Sequence, residues 1–113
     1  MTATPPTAQE RRRSQRVPLS VPLFVRSLDP SYSFTGPLHA IQVSGHGCVL
    51  HAPRPFKRGI KLRLVIASRH SSTTARVVHS DPHGMPAPKW KVALELDKPG
   101  NFWGLTSPPP DWL

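Results

Sequence analysis

Two segments carry residues whose types could do chemistry. The first is Glu10-Arg11-Arg12-Arg13-Ser14-Gln15-Arg16, a dense cationic run. Arginine presents a rigid planar fork of donors suited to phosphate, and the same plane stacks on a nucleobase. Arg12 and Arg16 bracket Arg13-Ser14-Gln15 just ahead of the first apolar alternation. The plain reading of such a run is a solvated basic tail. The second segment is Gln42-Val43-Ser44-Gly45-His46-Gly47, between two apolar runs. Its glycines permit positive φ and close backbone approach, and its plain reading is a tight hairpin turn.

Catalysis has little to work with. The six acids are scattered, and Asp29 and Asp81 each precede a proline in a turn-like stretch. No carboxylate pair is evident for acid–base work. Ser44 lacks the preceding glycine of a hydrolase elbow. His79 and His83 have a metal-like spacing only on a helix, and Asp81-Pro82 forbids one there. Cys48, inside an apolar run, reads as an inert buried thiol. The expectation is a binding module with no catalytic residue, no metal and no cofactor.

The elements that must position the two segments are short strands. Leu19, Val21, Leu23 and Val25 alternate with Ser20, Pro22, Phe24 and Arg26, a period of two that turns one face to a core. Pro22 lacks the ladder donor, which points to an edge or bulged strand. Asp29-Pro30-Ser31 and Thr35-Gly36-Pro37 read as turns. Leu38–Val43 and Cys48–Leu50 are the next runs. Ile60, Leu62, Leu64 and Ile66 alternate cleanly, then comes Thr73–His79, a turn at Asp81–Gly84, and a last strand of Trp90, Val92, Leu94 and Leu96. Six short strands at near-regular spacing suggest a sandwich or a closed barrel. Phe102 and Trp103 then plug one end, as large aromatics mostly serve cores.

The bulk numbers agree. The chain has 113 residues, enough for one ordinary domain. Its 15 prolines break long helices. Lys and Arg total 15 against six acids, a formal charge of +9 that speaks about partners more than fold. A single cysteine excludes an intramolecular disulfide and suits a reducing cytosol. No apolar run of about 18 residues exists to span a membrane. The N-terminus has charges but no apolar stretch after them, so it does not read as a signal peptide.

Taken in order, the two motifs resemble the PilZ family. That family carries Arg-x-x-x-Arg ahead of its first barrel strand and Asp/Asn-x-Ser-x-x-Gly about thirty residues later. Arg12 and Arg16 match the first. Ser44 and Gly47 match the second, where Gln42 replaces Asp or Asn. Trp90–Leu96 looks like the family's last barrel strand, so the resemblance covers about residues 10 to 97.

The resemblance implies an all-β, six-stranded antiparallel barrel that binds the bacterial second messenger cyclic di-GMP. A disordered leader (residues 1–9) precedes the barrel domain (residues 10–105), and a Pro-rich tail (residues 106–113) follows. By the same resemblance Arg12 and Arg16 hold phosphates and stack on guanine, Ser44 is a polar contact, Gly47 allows close approach, and Arg13 helps. Glutamine at 42 keeps an amide but cannot pair ionically with an arginine. The leading reading is a cytoplasmic cyclic di-GMP receptor that signals by ordering its Arg-rich segment. With no output domain attached, it acts through a protein partner not yet identified. The alternative is a nucleotide-blind PilZ-like protein-interaction domain. A nucleic-acid-binding barrel is disfavoured, because the aromatics are scattered and the charge gathers at one end. Residues 1–16 show no apolar face and are expected to be mobile until ligand binds.

Overall fold

The computed structural model describes residues 14–83 and 89–112, apart from the side chain of His83. Among them six strands run in chain order as β1 (Val17–Ser27), β2 (Thr35–Val43), β3 (Gly47–Ala52), β4 (Lys61–Ile66), β5 (Ser71–His83) and β6 (Lys89–Leu96). They close into an antiparallel barrel in the order β1-β2-β3-β6-β5-β4, with β4 pairing back onto β1 through Phe24–Ser27. Two short 3-10 turns, Ala67–Arg69 and Pro110–Trp112, complete the elements. No described helix is long and apolar enough to cross a membrane.

Period-two patterning builds the core. Val21, Leu23 and Val25 of β1, Leu62, Leu64 and Ile66 of β4, and Val92, Leu94 and Leu96 of β6 all point inward and are buried. Their neighbours Phe24, Arg26, Lys61 and Arg63 point outward. Burying each such aliphatic side chain is worth about 1.5–3 kcal/mol, so alternation alone fixes which face is core. Pro22 lies in the half of β1 that pairs with β2 but not β4, and β1 is bulged between Pro18 and Val21. Its missing donor is therefore not demanded by a second neighbour.

Two expected turns are strand instead. Thr35, Gly36 and Pro37 open β2, opposite Arg26, Val25 and Phe24. Asp81, Pro82 and His83 extend β5, opposite Lys91, Trp90 and Lys89. Turn-forming side chains are accommodated because barrel closure supplies a paired strand at both places. The Asp29 turn does form: its carboxylate accepts from the Ser31 N–H at 2.8 Å, and its carbonyl from the Tyr32 N–H at 3.1 Å. Gly84 and the leader lie outside the described residues.

Candidate functional site

The turn joining β2 to β3 is built by Ser44. Its hydroxyl accepts from the backbone N–H groups of His46 (3.3 Å) and Gly47 (3.1 Å), and the Ser44 N–H reaches the Gly47 carbonyl at 2.9 Å. With its hydroxyl engaged this way, Ser44 is only 9% exposed. Glycine is required at 47 for a packing reason. A Cβ there would lie 2.0 Å from the Leu94 carbonyl oxygen, so a side chain would wedge β3 from β6. What approaches Gly47 closely is thus the neighbouring strand. At Gly45 the close neighbour is Trp112, whose Cα would stand 2.9 Å from an added Cβ.

The strand register lines up one outward residue from each of four strands. Gln42 of β2 lies opposite Val49 of β3, Val49 opposite Ala93 of β6, and Ala93 opposite His79 of β5. Bulges flank this row, between Ala40 and Gln42 and between Val77 and His79. Each extra residue increases local twist and re-aims the side chains beside it. The result is a groove of about 460 Å³ on the outer wall. Val49, Ala93 and Val78 give it an apolar floor, and its polar lining includes Arg16, Gln42, His79 and Glu95, with Ser14, Ser44 and His46 beside them. Cys48 also borders it, but burial pushes its thiol pKa far up, so it stays protonated and unreactive.

Arg16 comes in from above. Its guanidinium donates to the Gln42 side-chain carbonyl at 3.4 Å, a long bond that joins the two motifs. Ser14 is 3% exposed and shares a 3.0 Å hydrogen bond with His46 Nδ1. Protein groups alone therefore hold residues 14–16 against the barrel. Arg12 and Arg13 lie outside the described residues. Arg16, Gln42, Ser44 and Gly47 are brought together.

The family model for the PilZ domain matches residues 10–100. The chain belongs to the PilZ domain family. PilZ membership implies a cyclic di-GMP-binding or PilZ-like effector role, in modules that are typically non-enzymatic. No curated protein and no solved structure gives a significant match. Among the described residues no group of three or more His, Cys, Asp or Glu gathers to hold a metal ion.

Several contacts escaped the sequence reading. Trp103 is buried, as the plug expectation required, and its indole N–H donates to the Ser44 carbonyl at 2.8 Å. Trp112 is buried too, and its indole N–H donates to the Gln15 carbonyl at 2.7 Å. The barrel's partners therefore continue past residue 105. The available signal was a tryptophan at the end of a proline-rich stretch, where solvent exposure would be unfavourable.

Proposed function

We propose that this PilZ domain is a cytoplasmic receptor for cyclic di-GMP. The carrying observation is that Arg16, from the first motif, reaches Gln42, from the second, at the rim of an apolar-floored groove. Such a groove suits a flat purine. Val49 and Ala93 offer small apolar surface for a ring face, and an arginine offers either a stacking plane or a phosphate fork. The Gln42 amide offers both a donor and an acceptor to a guanine edge. Arg12 and Arg13 supply further phosphate contacts from the same segment. Ser44 and Gly47 shape the site through the turn and the β3–β6 approach. Because residues 14–16 are already tied down, ordering on binding falls on the arginines upstream. That newly ordered surface is what a protein partner reads.

A second reading follows from Gln42 itself. An uncharged amide gives Arg16 a weaker partner than the carboxylate of the family motif, which favours a PilZ-like interaction domain without nucleotide. Calorimetric titration with cyclic di-GMP at near-physiological salt separates the two. The receptor reading expects saturable binding that weakens by about tenfold to a hundredfold in Arg12→Ala and in Arg16→Ala, as charged hydrogen bonds worth about 1.5–3 kcal/mol are lost. No binding by the parent at high ligand concentration selects the interaction domain.

A further inference from the structure

The family match ends at residue 100, yet the chain beyond it returns to the first motif. The 3-10 turn Pro110–Trp112 sets two side chains on a single residue, Gln15. Asp111 Oδ2 accepts from the Gln15 N–H at 2.8 Å, across 96 residues of sequence. Trp112 Nε1 donates to the Gln15 carbonyl at 2.7 Å, across 97. Both polar groups of that backbone residue are thereby held by side chains. The Trp112 ring is anchored in turn: it is 2% exposed and packs on Gly45, inside the second motif. On the other side Ser14 is fixed by His46.

Gln15 and Ser14 lie between Arg12 and Arg16 in the first motif and carry no charge. What they set is the backbone from which Arg16 departs. We infer that Asp111 and Trp112 are positioning residues for the arginine motif, a C-terminal strap that holds its spacer against the second-motif turn. Ordering completed before ligand arrives is not subtracted from affinity. Pro108, Pro109 and Pro110 restrict the tail before Asp111, which lowers the entropy lost in placing it. The link to ligand affinity rests on the receptor reading above; the holding of Gln15 does not.

The test compares the full chain with Asp111→Ala, Asp111→Asn and Trp112→Phe. Asparagine keeps an acceptor at 111, and phenylalanine keeps a ring at 112 while deleting the N–H. Amide exchange at Gln15 and Arg16 is read without ligand, and cyclic di-GMP affinity by calorimetry. Asp111→Ala and Trp112→Phe should speed exchange at these two amides by about three- to tenfold and weaken nucleotide binding by a similar factor. Core amides at Leu50 and Val92 should stay as protected as in the parent. Asp111→Asn should restore both readings, a rescue that general destabilisation would not show. Unchanged exchange at Gln15 and Arg16 in Asp111→Ala overturns the strap. So does released exchange with affinity unchanged or tightened, the latter marking the tail as a competitor of the ligand. If the parent takes up no cyclic di-GMP, the receptor reading fails and the amides alone decide the strap: release supports it, and no release overturns it.

Discussion

The two ends of β2 are closed in different ways. Before Thr35, the loops 28–34 and 53–60 meet through aromatic faces: Phe56 contacts Tyr32 and Phe34 at centroid distances of 5.4 and 5.0 Å. Arg54 lies over Tyr32 and Phe34 at 4.9 and 5.3 Å, and the exposed Tyr32 hydroxyl and Arg54 guanidinium donate to the Pro55 and Ser33 carbonyls. After Val43, closure is by buried indoles. Two indole N–H groups point at two backbone carbonyls, those of Ser44 and Gln15. Ring contacts and solvent-exposed bonds tolerate small displacements, whereas the N–H of a buried indole does not. The second kind of closure lies beside the groove, where a binding site needs backbone held in place.

Glycine substitutions should break the symmetry most sharply. At Gly47 an added Cβ meets backbone, which has nowhere to swing; at Gly36 the nearest atom is the Phe34 ring at an ordinary 3.8 Å. Gly47→Ala should lower stability by about 3 kcal/mol, while Gly36→Ala should stay within about 0.5 kcal/mol of the parent. Urea unfolding checks both. Equal effects would mean that β3 and β6 part easily at the turn.

Next in size is the indole hydrogen bond. Trp103→Phe retains a ring but leaves the Ser44 carbonyl without its donor, and should cost about 1–3 kcal/mol. Its counterpart at the other end, Arg54→Ala, removes an exposed cation–π contact and an exposed hydrogen bond to the Ser33 carbonyl, together worth about 1 kcal/mol where water can replace the bond. If the arginine change is the larger, closure by buried indoles is not what distinguishes the motif end.

A third change acts on binding. Gln42→Asp puts a carboxylate where Arg16 reaches the Gln42 amide and offers guanine donors the same carboxylate, so cyclic di-GMP affinity should rise roughly tenfold. Gln42→Ala should leave weak binding nearly unchanged. Should Gln42→Asp weaken binding, glutamine is a working contact to which the groove has adapted.

Much of the barrel was legible because alternation was clean. Ile60, Leu62, Leu64 and Ile66 are buried as their spacing demanded, and so are Val92, Leu94 and Leu96. Asp81–His83 misled because local turn propensity was outweighed by pairing with β6, a tertiary effect with no local trace. The two motifs could be found, but not their meeting place. The row Gln42–Val49–Ala93–His79 depends on register across four strands and on two bulges, and each bulge shifts facing by one residue. The hold on Gln15 joins residues 96 and 97 positions away, beyond any periodicity.

The smallest expected effect tests whether charge, rather than a buried indole, secures the chain where it leaves β6 for the strap. Asp97 follows Leu96 and takes two contacts from Lys61 Nζ, at 2.8 and 2.9 Å, and one from the Thr74 hydroxyl. The Lys61 hydrogen bond, helped by Thr74, lowers the carboxyl pKa below its ordinary 3.8. A carboxylate depressed on folding contributes stability above its unfolded value, and that contribution is lost as pH falls through the folded value. The side chains of Lys61 and Asp97 are 49% and 34% exposed, so water screens the pair. Asp97→Asn should therefore cost only about 0.2–1 kcal/mol near pH 7. The gap between variant and parent should close in strong acid, below the lowered pKa, because the parent carboxyl is then neutral as well. Exchange at the Gln15 amide should be unchanged, since Asp111 and Trp112 hold it independently of Asp97. A gap that persists in acid would assign the effect to hydrogen-bond geometry. Faster exchange at Gln15 would show that the ion pair, too, steers the strap.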